Sequence, residues 1–179
     1  MQRFLLILLL VLVAAGFATA AKPDTVTAEE YSVYSALIVS KFLHKTTTLA
    51  VIKANTEFDI NAVSIPKAFD ADFQTKIGST STLKRHFQID ATYLLLTANQ
   101  LDVLFKGFSD EGWEAYWKKY PHATGLLTFS RVGFSAQKNK AFVYAHESCG
   151  PRCGDGSSFL LEKENGSWKV KEEKQLWIS

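Results

Sequence analysis

Cysteine is scarce in this chain, with 2 in 179 residues. That excludes a disulfide lattice. It also argues against a structural zinc site, which uses four ligands, because the neighbouring His146 brings the set at most to three. Charge of one sign is missing as well. Twenty Lys and Arg stand against eighteen Asp and Glu, a formal net charge of +2. Nucleic acid needs a clustered basic surface, so this balance excludes it as a partner. The chain has no G-x-S-x-G elbow, phosphate-binding loop, dinucleotide glycine pattern or H-E-x-x-H. Its four histidines, His44, His86, His122 and His146, sit at no metal-ligand spacing, and each reads first as a surface or packing residue. No cofactor or metal is expected. Internal repeats and low-complexity stretches are also absent.

Long apolar runs are confined to the beginning. In MQRFLLILLLVLVAAGFATA, Arg3 supplies a positive start, Phe4 to Ala15 an apolar stretch, and Ala18-Thr19-Ala20 a small-residue cleavage site. The run is too short for the roughly 17 to 20 residues that span a bilayer. Residues 1–20 are therefore expected to be an export signal, and residues 21–179 one exported α+β domain with no membrane span, periplasmic or secreted. Hydrophobic residues make up 47% and charged residues 21% of the chain, which rules out wholesale disorder.

Helix signals come first. Thr27 and Glu30 form a capping-box pattern, and Tyr31, Tyr34, Leu37, Ile38 and Phe42 follow at helical spacing, which predicts a helix over 27–43. Thr48 to Ala54 reads as a buried strand. Pro66 opens a short helix with the face Phe69, Phe73 and Ile77, ended by Gly78. Leu83, Phe87 and Ile89 fit either an irregular packed segment or an edge strand, so the 55–92 region has no assigned structure beyond that. Thr97 and Gln100 form a second capping box ahead of Leu101, Leu104, Phe105 and Phe108, with Gly107 near the helix end. Ser109 caps a further helix carrying Trp113, Tyr116, Trp117 and Tyr120, and Pro121 follows it.

The remainder predicts a four-stranded antiparallel meander over 125–134, 140–147, 157–163 and 168–178. Asn165-Gly166 supplies the two positive-φ residues of a type I′ turn, which sets Glu162 opposite Lys169 and Leu161 opposite Val170. The expected fold class is α+β: an N-terminal helix and a helical pair packed on a mainly antiparallel sheet.

Chemistry-bearing residues are few. Cys149 and Cys153, in SCGPRCGDG, read as a disulfide staple in an oxidising compartment. A redox pair is the alternative, although thiol oxidoreductases use two intervening residues at a helix start. Asp110, Glu111 and Glu114 form a solvated helix face. Arg131 interrupts an apolar strand on the face of Phe129 and Gly133; it suits an ion pair, a stacking contact or an anionic ligand. Trp113, Tyr116, Trp117 and Tyr120 suit either core packing or an exposed aromatic surface for a ligand. Two functions follow. The first is a non-enzymatic domain that binds an unknown ligand or envelope partner. The second is a small hydrolase or lyase with His146 or Glu147 as base and Arg131 as an electrostatic clamp.

Ser130 to Phe134 (S-R-V-G-F), Val143-Tyr144, the C-G-x-x-C-G loop at Cys149 to Gly154 and the terminal Trp177-Ile178-Ser179 together resemble the C-terminal part of a group of uncharacterised exported bacterial proteins. Tyr31 to Ile38 and the VIKANT segment add a weaker match. The resemblance implies an envelope or secreted location and carries no activity. The closing hairpin, with its G-x-W-K-V pattern, is also similar to the last strands of NTF2-like domains.

Overall fold

A computed structural model describes residues 25–43, 49–58, 64–76, 80–106 and 110–179. Residues 1–20, expected to be an export signal, and His44, Thr48, Ile77, Gly78, Gly107, Phe108 and Ser109 lie outside the described residues.

The first helix, α1 (Ala28–Leu37), begins as its sequence dictates. The Thr27 hydroxyl accepts from the Glu30 N–H, and the Glu30 carboxylate accepts from the Thr27 N–H, so two orphan amides are satisfied reciprocally. The helix continues as a π-helical turn over Ile38–Phe42. Its face of Tyr31, Tyr34, Leu37, Ile38 and Phe42 is buried, as the spacing predicts.

Six strands run in the order β2-β1-β3-β5-β6-β7 across one mixed sheet: β2 (Thr92–Leu96), β1 (Leu49–Lys53), β3 (Ala123–Phe129), β5 (Lys140–Gly150), β6 (Cys153–Glu164) and β7 (Ser167–Ile178). A seventh, the two-residue β4 (Gly133–Phe134), pairs with β5. From β3 onward the pairing is antiparallel, in agreement with the expected meander. β1 instead lies parallel to both neighbours. Parallel neighbours need long crossovers, and the segments carrying α2 (Lys67–Lys76) and the pair α3 (Ala98–Leu104) and α4 (Asp110–Lys119) supply them. The segment holding Leu83, Phe87 and Ile89 is irregular and packs on the core.

Apolar residues fill both faces of the sheet. On one, α1 packs on Ile52, Leu127, Phe129, Val143, Phe159 and Leu161. On the other, α2 packs Phe69 and Phe73 against Phe142 and Tyr144, while α3 and α4 cover Val51 and Leu96. The closing hairpin has the expected register, Leu161 opposite Val170 and Glu162 opposite Lys169, with Asn165 and Gly166 both at positive φ.

Two sequence expectations need correcting. Residues 125–134 are not one strand: a bulge at Ser130-Arg131-Val132 separates β3 from β4, and Gly133 turns to the opposite face, where a Cβ would lie 2.9 Å from Phe73. An extra residue in one strand breaks side-chain alternation, so Arg131 and Gly133 no longer share a face. The cysteine segment is also less of a loop than expected. β5 and β6 pair up to Gly150 and Cys153, and only Pro151 and Arg152 turn the chain.

Candidate functional site

Arg131 sits in the bulge and points under the start of α1. Its Nε donates to Glu30 Oε1 at 2.8 Å and its Nη2 to Glu30 Oε2 at 3.1 Å, with 2% and 0% of the two side chains exposed. Nη1 donates to the Ser81 hydroxyl and Nη2 also reaches the Thr25 carbonyl. Burial by itself would raise the Glu30 pKa. The Arg131 and Thr27 hydrogen bonds and the Arg131 charge outweigh it, holding the carboxyl below its ordinary range. The guanidinium is thus committed to an internal fork-to-fork pair, and it closes the helix cap, the bulge and the Ser81 segment on one another.

The bulge in turn positions the far face. The Ser130 hydroxyl accepts from the Tyr144 N–H at 2.9 Å, and the Tyr34 hydroxyl donates to the Ser130 carbonyl at 2.7 Å. Tyr144 and His146, two residues apart on β5, project to the α2 side. Together with Glu57 and Phe58, on the segment after β1, they line an open cavity of about 340 Å³. The rings follow one another: Phe58 to Tyr144 at 6.2 Å, Tyr144 to His146 at 5.7 Å and His146 to Trp177 at 5.8 Å between centroids. Trp177 donates its indole N–H to the Tyr144 hydroxyl at 2.8 Å. That contact needs the bare backbone of Gly156, where a Cβ would collide with the indole nitrogen and lie 2.7 Å from the Tyr144 hydroxyl.

His146 is the unsatisfied group of this wall. Its Nδ1 is buried without a hydrogen-bond partner among the described residues. Burial lowers its pKa, so the ring is neutral at neutral pH. A buried N–H without an acceptor is costlier than a buried lone pair, which favours the neutral tautomer protonated on Nε2. Glu57 stands at the mouth with Lys53 bonded to its Oε2 at 2.5 Å.

Sequence reasoning named His146, Glu147 and Arg131 together, and the structure does not bring them together. Arg131 lies on the α1 face in its pair with Glu30. Glu147, next along β5, turns away from His146 by strand alternation, and its carboxylate accepts from the Thr124 hydroxyl. The aromatic helix divides. Tyr116 and Tyr120 are core residues, and the Tyr116 hydroxyl donates to the Gly125 carbonyl. Trp113 and Trp117 are half-buried and stacked at 6.1 Å. Cys149 and Cys153 form a disulfide with 5.0 Å between Cα atoms. Glu57, Phe58 and Trp177 were missed as site residues. The first two fall where periodicity carried no signal, and Trp177 read only as part of a strand and of the terminal W-I-S match.

No family model, curated protein or solved structure matches this chain.

Proposed function

We propose that this protein is an exported domain that binds a small ring-bearing or alkyl ligand in the cavity of Glu57, Phe58, Tyr144 and His146. The observation that carries the reading is His146, a neutral imidazole with no hydrogen bond to the protein among the described residues, set in a wall of aromatic rings. Binding sites of this kind combine apolar walls with a few convergent polar groups. The export pattern of residues 1–20 and the disulfide pair favour a periplasmic or secreted location. Among the described residues no helix is long and apolar enough to cross a membrane. The hydrolase or lyase alternative has less support, because Glu30 occupies the guanidinium it requires.

The test is a thermal-shift screen of soluble small metabolites on residues 21–179, repeated with His146→Leu and Phe58→Ala. Binding by the wild-type protein that weakens in both variants supports the reading. No ligand, or ligands indifferent to both changes, contradicts it.

A further inference from the structure

The cavity has a chemical preference as well as a shape. Among the described residues its charged lining residue is a carboxylate, Glu57, whose side chain is 55% exposed. Lys53 engages only Oε2, and Oε1 makes no hydrogen bond among the described residues. Phe58 stands edge-on to Phe73 at 5.0 Å and to Tyr144 at 6.2 Å, so its position is fixed from two sides. Tyr144 is fixed by the Trp177 indole and by Ser130. Rings held in place around a space with a carboxylate at its edge form the arrangement that attracts an organic cation, through the negative faces of the rings and through direct charge. A nearby anion would meet the Glu57 carboxylate instead.

Resting on the binding reading above, we propose that the cavity takes a compact alkylammonium that also carries a neutral hydrogen-bond acceptor. The ammonium lies against Phe58 and Tyr144 beside Glu57, and the acceptor receives the Nε2–H of His146. Two features agree with this division. His146 is a neutral donor, so it adds no positive charge to repel the cation. Burial is the main cause of its lowered pKa, and the nearby Glu57 carboxylate opposes that lowering. A quaternary head suits the site better than a primary amine, because it has little hydration to lose on entering between rings.

Choline chloride and its uncharged isostere 3,3-dimethyl-1-butanol separate charge from shape. Both are titrated into residues 21–179 at matched ionic strength, with binding followed by amide and indole NMR shifts. The expected result is choline binding about five- to thirty-fold tighter than the alcohol, with shifts at Phe58, Tyr144 and the Trp177 indole. Glu57→Gln removes most of that difference and leaves the alcohol unchanged. Equal binding of the two compounds at these residues overturns the cation preference and leaves the binding reading standing. Neither compound shifting these residues also overturns the preference, and the metabolite screen then decides the binding reading separately.

Discussion

Glu30 and Arg131 are 101 residues apart in the chain and form a buried, two-point ion pair. The glutamate belongs to the first turn of α1, the arginine to the bulge between β3 and β4. Glu30 does two jobs with one carboxylate: it caps the helix through Thr27 and accepts from Arg131 and from the Val132 N–H at 3.3 Å. On the opposite face, Asp72 accepts from the Phe134 N–H, and Lys76 donates to the Val132 carbonyl. The bulge is therefore gripped from both sides, and through Ser130 it sets Tyr144 in the cavity wall.

Removing one partner of this pair strands a buried charge. Arg131→Leu is expected to destabilise the protein by about 3–5 kcal/mol, and Arg131→Lys to lose much of that, since lysine cannot make the fork. Urea unfolding midpoints measure both. A loss under about 1 kcal/mol for Arg131→Leu would mean that the pair acts like a surface bridge.

Acid should expose the cost of burying His146. Its folded pKa lies below the ordinary 6.5, so over the window between the two values the unfolded chain binds more protons. The contribution is complete above 6.5 and is lost as pH falls toward the folded pKa. His146→Gln should reduce the wild-type decline in unfolding free energy between about pH 7.5 and about pH 5. Parallel pH curves for the two proteins would contradict a buried neutral ring.

Two glycines should respond differently to alanine. Gly156→Ala places a methyl against the Trp177 indole and the Tyr144 hydroxyl. It should cost about 1–3 kcal/mol and alter the near-ultraviolet circular dichroism of the cavity rings. Gly166→Ala meets nothing within 4 Å, but φ is +82° there. Its cost should be about 1–2 kcal/mol, with that spectrum unchanged. Identical spectra for the two variants would contradict the close fit at Gly156.

The disulfide closes a small ring, so its loss should be mild. Replacing Cys149 and Cys153 with serine is expected to cost at most about 2 kcal/mol. Faster hydrogen exchange should be confined to the hairpin tip around residues 149–154. Two free thiols per chain in the non-reduced protein would refute the bond.

Local physics was legible in the sequence and long-range geometry was not. The capping boxes at Thr27 and Thr97, the α1 face and the register around Asn165-Gly166 all depend on neighbours within a few positions, and all are present. The strand at Thr92–Leu96 has no distinctive sequence signal, since a short apolar run carries no period that separates strand from buried helix. The parallel pairing of β1 depends on partners distant in sequence. Glu30 read as a capping residue, which it is, but nothing local pointed to Arg131. Arg131 and His146 both stood out as chemistry-bearing side chains, yet the bulge and strand alternation send them to opposite faces. The cavity draws on Glu57 and Phe58, in the stretch whose pattern was least readable.

The account rests on the cavity beside His146 being where ligand binds, and NMR mapping tests that most directly. Isotope-labelled residues 21–179 are titrated with the strongest compound from the metabolite screen, and amide, imidazole and indole shifts are followed together. The account predicts the largest changes at Glu57, Phe58, Tyr144, the His146 ring and the Trp177 indole, with Trp113 and Trp117 unmoved. Shifts centred on Trp113 and Trp117, with His146 unaffected, would contradict it.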